Sequence, residues 1–163
     1  MNKKLLFILA LSLSIASESC VKSSTPNPNN CIPNNTGVPT AAEVASVQSY
    51  LTAHSITATQ EPGGFFYIIV APGTGVTPSL SSNVTVKYTG TLESGGTFDQ
   101  NQAGVTFPLS QLILGWQKGL PLIKKGGSIK LFLPPSLGYG CNSIGSIPPG
   151  SNLIFSIDLI DVQ

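Results

Sequence analysis

The sequence predicts an α+β domain: an antiparallel sheet whose hydrophobic face is covered by one short helix, with another short helix ahead of it. Three observations predict this. Runs of alternating or β-forming residues occur at 65–71, 84–88, 127–133 and 153–162, the pattern of strands with a buried face. A single short apolar stretch of helical character within the same region, 112–119, carries the only tryptophan, Trp116. Gly and Pro, 17 and 13 of 163 residues, mark a turn-rich chain, while the 41% hydrophobic content and net charge of +1 are those of a packed domain and not of a disordered one.

The chain opens on an address. Lys3 and Lys4 precede an apolar run at 5–16, too short to span a bilayer, which takes ~20 residues. Ser17-Glu18-Ser19-Cys20 follows. This arrangement resembles a bacterial lipoprotein signal, in which residues 1–19 are removed and Cys20 is lipidated. Glu18 departs from the usual small or apolar residue, and an ordinary secretory peptide with an incidental cysteine is the other reading. The expected location is the cell envelope, lipid-anchored and facing the periplasm, with the choice of inner or outer membrane open. Residues 20–39 are dominated by Ser, Thr, Asn and Pro and read as a flexible linker. Cys31 and Cys141 form an even pair, either bridged in an oxidising compartment or left as two thiols.

Thr40-Ala41-Ala42-Glu43 has the form of a capping box. Val44, Val47, Tyr50 and Leu51 follow as one apolar stripe, so a helix and connector are expected over 40–63, the helix ending near the lone His54, a surface residue. The period changes at Gly64, where a domain over 64–163 begins. The run 65–71 closes on Pro72-Gly73, 84–88 alternates, and Ser94-Gly95-Gly96 turns the chain into Thr97-Phe98. The helix at 112–119 stops at Gly119 and Pro121. In the last strand Phe155, Ile157 and Leu159 share one face.

Composition narrows the function. All eight basic residues are Lys and there is no Arg, which removes bidentate phosphate and carboxylate clamps; the balance of charge excludes an electrostatic nucleic-acid binder. The sequence shows no nucleophile elbow, phosphate loop or Cys/His cluster for a metal. What it does supply is aromatic residues in short Gly-rich settings: Tyr88, Phe98, Trp116, Tyr139 and Phe155.

Val86-Lys87-Tyr88-Thr89-Gly90-Thr91-Leu92, Gly96-Thr97-Phe98-Asp99, Gly115-Trp116, Tyr139-Gly140, Ile147-Pro148-Pro149 and Leu153-Ile154-Phe155 occur in that order. Taken together they resemble the FKBP-type peptidyl-prolyl cis-trans isomerases, over roughly 64–163. The resemblance implies an antiparallel sheet of five to six strands wrapped around one short helix. It also implies rotation about X-Pro bonds of polypeptides, with no cofactor and no metal, and sensitivity to the macrolide inhibitors of the family. Trp116 would form the pocket floor, and Tyr88, Phe98, Leu112, Ile113 and Phe155 its walls. The Ile147 amide and Tyr139 hydroxyl would bond substrate carbonyls, with Asp99 at the rim. Phe155 and Ile113 also read as plain core, and Asp99 as a turn carboxylate.

The sequence departs from the family at three places. Gln100 to Thr106 is shorter than in small members and lacks the Arg that often accompanies the aspartate. Val105 falls where the family often has Phe, and 141–146 replaces a loop that overhangs the pocket. An FKBP-fold chaperone or binding module with little turnover is therefore the alternative function. One helix ahead of the domain favours a monomer.

Overall fold

A computed structural model describes residues 37–163; the signal-like segment, Cys20 and Cys31 lie outside the described residues. Helix α1 is Ala41–Ala53, and its start is the expected capping box. The Glu43 amide donates to Thr40 Oγ1 at 3.2 Å, and Glu43 Oε2 accepts from the Thr40 amide at 2.7 Å. Four donors at helix N-termini lack intrahelical acceptors, so this reciprocal pairing fixes where α1 begins. It ends at the exposed His54, and Ser55 at φ 54° turns the chain away.

Six antiparallel strands follow: β1 (Thr59–Gln60), β2 (Phe66–Ala71), β3 (Asn83–Leu92), β4 (Thr97–Pro108), β5 (Ser128–Leu133) and β6 (Leu153–Val162), in the order β1-β2-β5-β6-β3-β4. β1 carries no hydrophobic period and is only two residues long, so nothing in the sequence announced it. β4 is much longer than the Thr97-Phe98 start that the turn signal marked. The shortened stretch after Asp99 is part of this strand. Between the pairs Val86–Val105 and Tyr88–Asn101 the register shifts. The extra residues fold over Asn101 Oδ1, which accepts from the Ala103 and Gly104 amides at 3.1 and 2.8 Å. Gly104, at φ 100°, makes that bulge possible.

The two faces of the sheet carry different cores. Ile129, Leu131 and Leu133 of β5 and Leu153, Phe155, Ile157 and Leu159 of β6 point to one face, with Trp116 and Leu120. Phe66, Phe132 and Ile154 point to the other, where Val47 and Leu51 of α1 cover them. Residues 153–155 are apolar without alternation because both faces are buried there.

Helix α2 (Leu114–Gly119) lies on the first face. At six residues it cannot hold itself in water. It begins two residues later than the sequence suggested, after a 3-10 turn at Leu109–Gln111. A Cβ at Gly119 would lie 2.7 Å from Leu131, and one at Gly115 would collide with Leu133. The two glycines therefore let α2 lie directly on β5, which sets the depth of Trp116 between them.

Candidate active site

Four aromatic rings from four elements meet edge to face. Trp116 of α2 packs against Tyr88 of β3, centroids 5.2 Å apart at 83°, and against Phe155 of β6, 5.2 Å at 89°. Phe98 of β4 meets Phe155 at 5.5 Å and 86°. T-shaped contacts put a ring's positive edge on its neighbour's negative face, each worth roughly 0.5–1.5 kcal/mol beyond burial. Trp116, Phe155 and Ile147 are buried, while Tyr88, Phe98, Val105, Leu112, Ile113 and Tyr139 are half-buried around the same core. Gly90 makes the Phe98–Phe155 contact possible, because a Cβ there would sit 2.6 Å from Phe98 and 2.9 Å from Phe155. A glycine inside a strand signals such close approach; the sequence held the signal, though Gly90 was not among the expected site residues. Phe107, also half-buried, packs on this core beyond Val105.

Asp99 is exposed and accepts from the Tyr88 hydroxyl at 2.6 Å. Farther along β4, Gln102 Nε2 donates to the Tyr88 carbonyl and Thr89 Oγ1, both at 3.0 Å, which ties β4 to the backbone that carries Tyr88. Burial, then the hydrogen bond to Asp99 and the charges around it, pushes the Tyr88 hydroxyl up to about 12. Burial and the Asp99 charge also raise Tyr139. Both phenols are therefore protonated donors at neutral pH.

Three donors at this cluster have no acceptor among the described residues. Trp116 Nε1 is buried and unpaired, at a cost of about 1–3 kcal/mol for such a group. The Tyr139 hydroxyl and the Ile113 amide are likewise unmatched. Ile113 is the residue before α2, where helix geometry leaves N–H groups without partners. That signal was legible, yet the expectation fell on Ile147. The structure corrects it: the Ile147 amide donates to the Ile144 carbonyl at 2.9 Å, in a two-way bridge closing the 144–147 turn. Ile147 contributes a buried side chain and no free amide.

Cys141, two residues beyond Tyr139, is disulfide-bonded; its partner lies outside the described residues. Among the described residues no group of three or more His, Cys, Asp and Glu is placed to hold a metal. A groove of about 690 Å³ lies between α1 and the Pro62–Gly64 turn, lined by Val38, Val44, Phe66 and Lys118 among others, with none of the aromatic cluster. Its lining is mostly apolar, with Gln48, Gln60 and the single charged side chain Lys118.

The site is thus a sheet wrapped on a short helix, holding an aromatic cluster bordered by unpaired donors. Residues 75–160 match the family model for the FKBP-type peptidyl-prolyl cis-trans isomerases. The chain belongs to that family. It is 46% identical over 104 residues to the FKBP-type peptidyl-prolyl cis-trans isomerase FkpA of Buchnera aphidicola subsp. Schizaphis graminum, covering 61% of this chain and 41% of that protein. It is 45% identical over 106 residues to the outer membrane protein MIP of Legionella longbeachae, covering 63% and 46%. The matched segment thus spans less than half the length of these relatives. Among solved structures, FkpA from Escherichia coli superposes with a TM-score of 0.68 at 38% identity, over 76% of this chain and 60% of that one. A peptidyl-prolyl cis-trans isomerase from Pseudomonas syringae pv. tomato gives 0.66 at 29% identity, over 77% and 97%.

Proposed function

We propose that the protein catalyses cis-trans isomerisation of X-Pro bonds in exported polypeptides. The observation that carries this reading is the set of unpaired donors, the Tyr139 hydroxyl and Ile113 amide above all, around an aromatic cluster with Trp116 buried at its base. The proline ring rests on Trp116 between Tyr88, Phe98, Val105, Leu112 and Phe155, with Ile147 closing the side. Tyr139 and Ile113 hold carbonyls of the bound chain. Asp99 orients Tyr88 through their hydrogen bond.

The reaction needs no nucleophile. Amide resonance gives a rotation barrier of about 18–20 kcal/mol and places negative charge on the carbonyl oxygen, which water stabilises. Aromatic walls remove that water, so the planar, charge-separated amide loses more than the twisted one. Each ~1.4 kcal/mol of this difference is a tenfold rate gain. The aromatic lining thus acts by desolvation. The test is an NMR exchange or protease-coupled assay on proline peptides with the full chain. Catalysis inhibited by a macrolide of the family, and weakened in Tyr139→Phe, is expected. A rate equal to background in folded protein overturns the reading.

The N-terminal features support export and a lipid anchor at Cys20. Lys3, Lys4 and the run at 5–16 fit a signal, and the Cys141 disulfide fits an oxidising compartment. With Cys20 carrying lipid, Cys31 is the partner of Cys141. Among the described residues no helix is long and apolar enough to cross a membrane; in this reading the acyl chains on Cys20 provide the attachment. Cys20→Ser should move the protein from the membrane pellet to the soluble fraction; retention in the pellet would sink the anchor. The α1 stripe is occupied by its own sheet, which supports a monomer.

A further inference from the structure

Helix α1 packs on the face of the sheet opposite Trp116 and precedes the family-matched segment, yet two of its side chains reach the stretch that carries Tyr139. Glu43 Oε1 accepts from the Ser136 amide at 3.0 Å and the Ser136 hydroxyl at 2.6 Å. Its other oxygen stays in the capping box, taking the Thr40 amide and hydroxyl at 2.7 and 3.0 Å. One turn on, Ser46 Oγ accepts from Asn152 Nδ2 at 2.8 Å, and the same amide group donates to Glu93 at 2.8 Å. Asn152 is the one buried polar residue among those described. Residues at i and i+3 share a helix face, so α1 grips the 134–152 stretch at both ends.

Tyr139 needs such a grip. Its hydroxyl makes no hydrogen bond among the described residues, so the packing of its ring on the core and the backbone around it set where that oxygen lies. That backbone is Gly138-Tyr139-Gly140, with Gly140 at φ 59°, the most permissive pair of flanking residues available. Ser136 sits in the 3-10 turn Pro135–Leu137, and the Pro135 carbonyl accepts from both the Gly138 and Gly140 amides at 2.9 Å. Fixing Ser136 therefore fixes the turn from which Tyr139 projects. Burial alone would raise the Glu43 carboxyl, but the bonds from Ser136 and Thr40 outweigh it and hold the group below its ordinary range.

We propose that Glu43 is a positioning residue for the isomerase pocket, holding the Ser136 turn and through it the Tyr139 hydroxyl, with Ser46–Asn152 as the second hold. Helix α1 is then part of the working enzyme and not a spacer. The proposal rests on the isomerase reading for its kinetic consequence, but the hold itself is measurable without it.

The experiment compares Glu43→Ala, Glu43→Gln and Thr40→Ala in the full chain. Thr40→Ala weakens the α1 cap and leaves the Ser136 bonds in place. Glu43→Ala should raise hydrogen exchange at the Gly138 and Gly140 amides by about tenfold and raise KM for a proline peptide about fivefold, with kcat changing less. Thr40→Ala should lower the melting temperature and leave exchange and KM at wild-type values. Glu43→Gln keeps a carbonyl oxygen for Ser136 and should restore both. Equal exchange and KM in Glu43→Ala and Thr40→Ala would overturn the proposal. Should Glu43→Ala not fold, Ser136→Ala removes the 2.6 Å bond alone and must shift exchange and KM in the same direction, or the proposal fails. A wild type without isomerase activity defeats the functional reading, while the exchange comparison still decides the hold.

Discussion

Trp116→Ala is expected to cost about 3–5 kcal/mol of stability, the range for removing a buried aromatic from a core, and to lower kcat/KM at least about tenfold. Trp116 is 4% exposed and joins two of the three ring contacts in the cluster, to Tyr88 and Phe155. Its removal takes away the floor and leaves Tyr88 and Phe155 facing a void. The void admits water to the place where the proposed mechanism requires its exclusion. A single domain is stable by about 5–15 kcal/mol, so the variant should still fold at low temperature. Urea unfolding and the isomerase assay at 10 °C measure the two effects separately. Trp116→Phe should recover much of the stability and activity, since a smaller ring still offers edges and faces to both neighbours. Folded Trp116→Ala protein with kcat/KM within about twofold of wild type would reduce Trp116 to core packing.

The fold was legible where one physical signal dominated. The capping box at Thr40 and Glu43 set the start of α1 because both halves of the reciprocal bond are visible in four residues. β5 and β6 were legible from their apolar content; that 153–155 is buried on both faces emerges only when α1 covers Ile154. β1 was not, since its two exposed residues are held only by pairing with β2, a tertiary event without local pattern. Most of β4 was also hidden: of its twelve residues only Asn101, Gly104 and Val105 are even half-buried besides Phe98 and Phe107, and its alternation is broken by the bulge at Ala103 and Gly104.

The site followed the same logic. The aromatic residues were conspicuous in Gly-rich settings, and the structure brings Tyr88, Phe98, Trp116 and Phe155 into ring contact. Which backbone amide is free was not legible from a motif. Ile147 lies in a stretch that resembles the family, yet its N–H is consumed by the 144–147 turn, while Ile113 is left open only because α2 starts at Leu114. Glu43 was read solely as a helix cap. Its bonds to Ser136 join positions 93 residues apart, beyond any local pattern.

The second large effect is expected from a residue that touches no substrate. In Gly115→Ala the added methyl would be forced into the side chain of Leu133, which is fully buried on β5. Overpacking of this kind costs about 1–3 kcal/mol. Intrinsic propensity works the other way, because alanine is favoured over glycine within a helix by about 1 kcal/mol. Here the clash wins, since Leu133 belongs to a core packed on every side and α2 is the more movable partner at only six residues. The helix therefore shifts away from the sheet, and Trp116, the next residue, moves with it relative to Tyr88 and Phe155. A loss of stability of about 1–3 kcal/mol should accompany a fall in kcat/KM of at least about fivefold, together with a change in Trp116 fluorescence, which reports on the only tryptophan in the chain. Adding Leu133→Val to Gly115→Ala should return part of the lost activity by making space for the methyl. If Gly115→Ala is more stable than wild type and fully active, the propensity term has won, and α2 is not held at its depth by contact with β5.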